Sequence, residues 1–86
     1  MIVGNQFKEL QGTRKYVSTN KESEPYGSKE DLAYWFLASR VSDTFGSEPA
    51  TVSDIYYQVA RPLGMSSSET ARLVTGARRT GYLTTV

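Results

Sequence analysis

The stretch that decides the fold spans residues 59–83 and reads VARPLGMSSSETARLVTGARRTGYL. Gly64 predicts a tight turn between two helices, because a chain reversal usually needs a positive φ, which glycine adopts without strain. Ser66 is placed to cap the second helix, and Glu69 follows three residues later at the capping-box spacing. Gly81 predicts the end of that helix. The helix is expected to bury a narrow stripe made of Thr70, Leu73, Val74 and Ala77.

This stretch resembles a helix-turn-helix, the motif of many DNA-binding domains. The Leu-Gly-hydrophobic-Ser turn of that family stands here as Leu63-Gly64-Met65-Ser66, and Ala60 is the small residue four positions before the glycine. The run TARLVTGARRTGYL is similar to the close of modules that end in an Ala-Arg pair and a Gly-Tyr-Leu exit. Thr70 departs from the pattern, because a β-branched aliphatic residue is commoner at this inward position. The resemblance covers about a third of the chain.

The resemblance implies that the chain binds double-stranded DNA, in transcriptional regulation. A recognition helix of this family enters the major groove with its N-terminal residues against base edges. Arg72 is then expected to read guanine, and Arg78 and Arg79 to contact backbone phosphates. The predicted nucleic-acid-binding residues are Ser66, Ser67, Ser68, Arg72, Thr75, Arg78, Arg79, Arg14 and Lys15. The same helix residues also have a purely structural interpretation as capping serines, a solvated face and arginines matched to the helix dipole.

The charge of the chain is unevenly distributed although its net value is only +1. Residues 1–21 hold four basic residues against one acidic residue, residues 22–54 hold two against seven, and residues 55–86 hold four against one. Two basic ends and an acidic middle suit a polyanionic partner if the ends share one side of the fold. The alternative is that these charges form ordinary solvated faces.

Composition argues against an enzyme. The 86 residues include no cysteine and no histidine, so disulfides, thiolate metal sites and the commonest general base are absent. The serine run at residues 66–68 therefore has no histidine to activate it. We expect one domain without a cofactor or metal. The Met1 start shows no long apolar core of a signal peptide, and no apolar run is long enough to span a bilayer. We therefore expect a soluble, cytoplasmic protein without a membrane partner.

The rest of the chain predicts a mainly α fold, with α+β as the alternative. Residues 1–27 are interpreted as a hairpin and a loop, and residues 28–86 as a three-helix helix-turn-helix core ending in a short strand at residues 82–86. The whole would be winged-helix-like. The hairpin interpretation depends on strand-forming residues and a turn at Gln11-Gly12, although FKEL is equally suited to a helical turn. The strand-forming residues are Ile2, Val3, Phe7, Tyr16 and Val17.

Helix boundaries in the core are predicted from caps and breakers. Ser28 caps a helix that runs to about Thr44 and closes at Gly46, and Thr51 caps the next helix. Pro62 should make that second helix fray or tighten near residues 59–61. In the first helix, one apolar stripe is Leu32, Trp35, Phe36 and Ser39, and the adjoining one is Ala33, Leu37 and Val41. The inward residues of the second helix are predicted as Ile55, Tyr56, Val59 and Leu63, with Ala60 buried at a helix crossing and Ala50 exposed.

Consecutive aromatic residues suggest a rival function. Adjacent helical residues point about 100° apart, so one buried face cannot take all of them. Trp35, Phe36 and Tyr56 are assigned to the core, which leaves Tyr34 and Tyr57 partly exposed. Exposed tyrosine is typical of protein interfaces. The rival is therefore a protein-binding module on a helix-turn-helix frame, either a homodimer or a small phage- or plasmid-type inhibitor or adaptor.

Overall fold

The computed structural model describes residues 10–86 of the chain. Within this range a short strand precedes three helical segments, a second strand precedes the second of them, and a third strand follows the last. The elements are β1 (Lys15–Ser18), α1 (Lys29–Phe45), β2 (Ala50–Thr51), α2 (Val52–Ile55), a π-helical turn (Tyr56–Ala60), a 3₁₀ turn (Arg61–Leu63), α3 (Ser67–Arg79) and β3 (Leu83–Thr85). The result is a small domain of three helices and an antiparallel sheet.

The sheet has the strand order β2-β1-β3 in the described part of the chain, with β1 in the centre. Tyr16 lies opposite Ala50 on one side and opposite Thr85 on the other, and both pairings are antiparallel. The C-terminal strand predicted at residues 82–86 is observed at Leu83–Thr85, where it pairs with the N-terminal segment. The other predicted arm of the hairpin, with Ile2, Val3 and Phe7, lies outside the described residues, so the hairpin stays a prediction.

Three side-chain caps start the helices where the sequence predicted. The side chains of Ser28 and Thr51 each accept a hydrogen bond from the backbone N–H three residues later. The carboxylates of Asp31 and Asp54 accept one from the backbone N–H of the same cap residues, so both capping boxes are complete. Helix α1 ends at Phe45, one residue beyond the predicted end, and Gly46 follows with a φ of 60°. Because caps depend on neighbouring residues only, they are readable without tertiary structure.

Pro62 reshapes the second helical segment, residues 52–63. The helix widens into the π-helical turn over residues 56–60 and then tightens into the 3₁₀ turn over residues 61–63, which confirms the predicted irregularity. The proline lacks an N–H and cannot continue the α-helical hydrogen-bond pattern. Gly64 then adopts a φ of 83°, and the backbone N–H of Met65 donates to the carbonyl of Ala60 over 3.0 Å. This geometry makes the predicted turn into α3.

The core lies between α1, the second helical segment, α3 and the sheet. The predicted stripe of α3 is buried, and its polar member Thr70 donates its hydroxyl hydrogen to the carbonyl of Ser66 over 2.8 Å. That local bond satisfies the hydroxyl, so the threonine can occupy a core position. Ala60 is fully buried, as predicted. The core cluster comprises Tyr16, Leu37, Ala38, Val41, Ala50, Ile55, Val59, Leu73, Val74, Ala77, Tyr82 and Leu83.

Three predicted core positions are wrong. Leu32 and Phe36 are 48% and 41% exposed, because the buried face of α1 is centred on Leu37, Ala38 and Val41. These two members of the first predicted stripe lie away from that face, whereas Trp35 is partly buried against the core. Leu63 is 39% exposed, because the tighter 3₁₀ turn rotates it away from the direction of Val59.

Ala50 is also misplaced by the sequence prediction, which left it exposed in a turn. It is buried, with only 1% of its surface exposed, because it forms β2 with Thr51 and pairs with Tyr16 in the sheet.

Within residues 10–86, the helices lack the combined length and apolar character needed to cross a membrane.

Candidate nucleic-acid interface

Helix α3 presents its polar side opposite the core. Its 13 residues extend about 20 Å at 1.5 Å per residue. Positions that are three or four residues apart share one face of a helix. On the side of α3 that faces away from the core, four residues at this spacing are exposed. We call this surface the α3 outer stripe; it consists of Ser68, Arg72, Thr75 and Arg79. It combines two cations with two small hydroxyl side chains.

The first turn of α3 is committed to capping rather than left open. The side chain of Ser66 accepts a hydrogen bond from the backbone N–H of Glu69 over 3.1 Å. Its carbonyl also accepts from Thr70. Ser67 is half-buried, whereas Ser68 is exposed. Of the three serines assigned to binding, Ser68 is therefore the one that stands on the outer stripe.

Arg72 has an acidic neighbour one turn earlier. Its terminal nitrogen lies 3.9 Å from a carboxylate oxygen of Glu69, and both side chains are about half exposed, at 60% and 47%. Exposed ion pairs of this kind contribute only about 0–1 kcal/mol, since water and salt screen them. Arg72 can therefore exchange Glu69 for another acceptor with little loss of energy.

A groove brings the N-terminal segment next to the α3 outer stripe. The groove has a volume of about 420 Å³ and is lined by Gly12, Thr13, Arg14, Tyr16, Val52, Ala71 and Thr75. It joins Arg14 and Thr75, two predicted site residues that lie far apart in the sequence. Lys15, which is not part of the lining, is exposed on β1, and its carbonyl accepts a hydrogen bond from Val86. The basic N-terminal composition was the sequence signal for this juxtaposition, but it could not place Arg14 beside Thr75.

The C-terminal end of α3 carries a cation that sequence reasoning missed. The ammonium nitrogen of Lys21 donates to the carbonyl of Thr80 over 2.9 Å, lies 4.7 Å from the centre of the Tyr82 ring and 3.2 Å from Glu24. A positive charge is favourable at this end of a helix. Arg78 and Arg79 are exposed in the same last turn. The end of α3 therefore gathers three cations. No local signal marks Lys21 as one of them, because Thr80 and Tyr82, its contacts at this end of the helix, lie 59 residues or more away along the chain.

The loop before α1 holds this end of α3 in place. Thr19 donates from its hydroxyl to the carbonyl of Gly81 over 2.6 Å and from its backbone N–H to the carbonyl of Tyr82 over 3.0 Å. The backbone N–H of Glu24 donates to the Tyr82 hydroxyl over 3.3 Å. These hydrogen bonds hold the buried Tyr82 of the Gly-Tyr-Leu segment against the loop. They thereby fix the position of the last turn of α3, which carries Arg78 and Arg79.

The two tyrosines of the rival function have different surroundings. Tyr34 is half-buried and packs against the core, with its ring directly over Gly76 of α3. Tyr57 is 47% exposed; its ring meets Tyr56 edge-on at 5.0 Å, and the guanidinium of Arg61 lies 5.8 Å from its centre. Phe36, assigned to the core, is exposed instead, while Trp35 is partly buried against the core. Tyr34 therefore serves a contact within the chain, and Tyr57 is the more accessible of the pair.

Within residues 10–86, no three histidine, cysteine, aspartate or glutamate side chains form a group that could hold a metal ion. The chain matches no protein-family model, no curated protein sequence and no solved structure. Residues 10–86 form a small domain of three helices and a three-stranded antiparallel sheet, and this architecture is the class to which the structure assigns the chain.

Proposed function

We propose that this domain binds double-stranded DNA through the α3 outer stripe and acts in transcriptional regulation. The observation that carries the proposal is an exposed polar helix face that follows a glycine turn and has beside it a groove lined in part by Arg14. Arg72 and Arg79 stand on that face, and Arg14 lines the groove next to Thr75. Cations at several points along one face can contact the phosphates on both sides of a groove in DNA.

The proposed docking places the N-terminal half of α3 deepest in the major groove. Ser68 and Arg72 then meet base edges, and Thr75 is small enough to allow close approach. Arg78 and Arg79 contact phosphates at the far end of the helix. Arg14 lines the protein groove beside α3 and contacts a phosphate of the neighbouring DNA strand. Lys15 follows Arg14 as the first residue of β1. Glu69 is the acidic residue next to Arg72, and it moderates the positive field there.

We further infer that the fold functions as a winged-helix-like unit. In such domains, strands beside the recognition helix add backbone contacts. Here β3 follows α3 directly and pairs with β1, so the N-terminal segment stands where it can extend the interface. Arg14 immediately precedes β1. The wing role is therefore assigned to the residues around Arg14, and Arg14→Ala should weaken binding without changing sequence preference.

The test is a titration of labelled duplex DNA at two salt concentrations, with two variants of Arg72. Binding should weaken steeply as salt rises, because cations are displaced from the phosphates. Arg72→Ala should reduce discrimination between sequences. Arg72→Lys is the matched control, because it keeps the charge but loses bidentate recognition of guanine. It should retain affinity for random DNA while losing discrimination. No binding at low salt would overturn the proposal.

The exposed Tyr57 favours a second candidate, a small protein-binding inhibitor or adaptor. Its ring, with Tyr56 beside it and Arg61 close to it, forms an exposed aromatic and cationic surface of the kind enriched at interfaces. Under this candidate, Tyr57→Ala abolishes partner binding and leaves any DNA affinity intact. Sizing the protein with and without DNA separates the two candidates, since only the first predicts a DNA-dependent shift.

A further inference from the structure

A second exposed surface lies on the side of α1 that faces away from the core. Leu32 and Phe36 are about half exposed there, and the guanidinium of Arg40 lies 5.7 Å from the centre of the Phe36 ring. Further exposed residues lie on the same face of α1, at spacings of three or four residues before Leu32 and after Phe36. We call this surface the α1 outer face; it consists of Lys29, Leu32, Phe36, Arg40 and Asp43, all of which are exposed.

The spacing of the α1 outer face is symmetric about Phe36. Leu32 and Arg40 are four residues away on either side, and Lys29 and Asp43 are seven residues away. The average spacing along the line is 3.5 residues, which is the period of a helix seam that packs against another helix. A face with this symmetry can pack against an identical face that runs in the opposite direction, because a two-fold axis pairs each residue with its symmetric counterpart.

The charges are complementary in that arrangement. Lys29 of one copy lies opposite Asp43 of the other, and this pair occurs twice. Arg40 lies opposite Leu32, where its alkyl chain can cover the leucine while its head stays over an aromatic ring. The two Phe36 rings meet on the axis, and each is flanked by an arginine that is already close to it. A parallel or unrelated partner would not explain why opposite charges occupy the two symmetric ends.

The helix dipole supports the same arrangement. Lys29 is the first residue of α1, and Asp43 is in its last turn, where no basic residue occurs. Both charges are at the end of the helix that disfavours their sign. In an antiparallel pair, each of these charges lies beside the opposite end of the neighbouring helix and beside the opposite side-chain charge. The second copy therefore compensates a placement that is unfavourable in one chain alone.

We propose that the α1 outer face is the homodimer interface of this protein, with two α1 helices packed antiparallel about Phe36. The interface uses no residue of the α3 outer stripe, so the proposal stands independently of DNA binding. One 17-residue helix on each side makes a small contact, and small interfaces give weak, concentration-dependent association. The dimer should therefore form and dissociate over an accessible range of protein concentration.

The experiment measures sedimentation of the full chain across that concentration range. The parent should pass from its monomer mass of 9.6 kDa to twice that mass. Lys29→Asp and Asp43→Lys should each weaken self-association by about tenfold or more, because like charges then face each other. An equimolar mixture of the two variants should restore association, since each copy then supplies the opposite charges. Phe36→Glu should abolish the dimer by placing two carboxylates on the axis.

The outcomes separate this interface from other occupants of the α1 outer face. A parent that stays monomeric at every concentration overturns the proposal, as does a dimer whose affinity is unchanged by the substitutions. Weakening in each variant alone, with recovery in the mixture, identifies the antiparallel pairing. A parallel pair would set Lys29 against Lys29 and Asp43 against Asp43 already in the parent, so neither substitution would add repulsion. Thermal melts of each variant check that the fold is intact, which is expected because all three substituted positions are exposed.

Discussion

The ring of Tyr34 on α1 lies where residue 76 on α3 would place its side chain. A Cβ atom on Gly76 would overlap the Cε1 and Cζ atoms of that ring. The missing side chain allows the two longest helices of the described chain to pack with an aromatic ring between them. Gly76 has an ordinary helical backbone, so close approach rather than a special φ accounts for the glycine.

Gly76→Ala should destabilise the domain by about 1–3 kcal/mol, because the Tyr34 ring must leave its position. The loss should outweigh the gain of about 1 kcal/mol that alanine brings to a helix interior. The measurement is chemical denaturation followed by the fluorescence of Trp35. In a Tyr34→Ala background the sign should reverse, since the obstacle is gone and only the helix propensity remains. If Gly76→Ala stabilises both backgrounds equally, the ring does not pack over residue 76.

Ala60→Leu should destabilise the domain by about 1–3 kcal/mol, because Ala60 is fully buried where the second helical segment meets the turn into α3. Gln58→Leu is the matched control, since it adds a leucine to the same turn at an exposed position. Ala50 is unsuitable as a control, because it is buried in the sheet. Thermal melts compare the two variants with the parent. A parent-like melting temperature for Ala60→Leu would refute close packing at this position.

Lys21→Met should lower stability by about 1 kcal/mol, because it removes a charged hydrogen bond to Thr80 and a cation at the end of α3. The alkyl chain of methionine keeps the contact with Tyr82, so the change reports the charge. Lys29→Met removes a lysine from the other end of a helix, where positive charge is unfavourable, and should not destabilise the fold at a protein concentration low enough to keep the chain monomeric. Equal losses in the two variants would show that Lys21 does not cap α3.

Glu69→Gln should raise the affinity for random-sequence duplex by a few-fold, about 1 kcal/mol at most, because it releases Arg72 from an exposed ion pair and removes a negative charge. The gain should shrink as salt rises. Glutamine keeps the size and the helix propensity of glutamate, which isolates the charge. Glu48→Gln, in the exposed turn after α1, removes the same charge away from α3 and should have a smaller effect. A loss of affinity in Glu69→Gln would contradict the assigned position of α3 on DNA.

Local features of this fold were predictable from the sequence, because their causes lie within a few residues. Ser28, Thr51 and Ser66 start helices through bonds to neighbouring backbone groups, and Gly64 turns the chain through its own φ. The buried stripe of α3 followed from periodicity alone. Of the two predicted stripes on α1, the one with Leu37 and Val41 is buried, whereas Leu32 and Phe36 of the other are exposed. That helix carries apolar residues over a wide face, and only packing decides which part is covered.

Other features depend on contacts between distant parts of the chain. Lys21 lies at the end of α3, the ring of Tyr34 lies over Gly76, and Arg14 and Thr75 line one groove. Each of these arrangements joins segments that the sequence separates widely. Ala50 is buried only because a two-residue strand pairs with Tyr16. Two residues are too few to show strand periodicity. The sequence could therefore single out individual residues as candidates for the interface, but it could not predict their arrangement around α3.

The most direct test of the central claim is an NMR titration of the labelled protein with random-sequence duplex DNA at low salt. We predict shifts at the backbone amides of Ser68, Arg72, Thr75 and Arg79, and at Arg14 across the groove, all reversed by added salt. The α1 outer face should be unaffected by DNA at a fixed protein concentration. A spectrum that does not change, or changes confined to Tyr57 and the α1 outer face, would contradict the claim that α3 binds DNA.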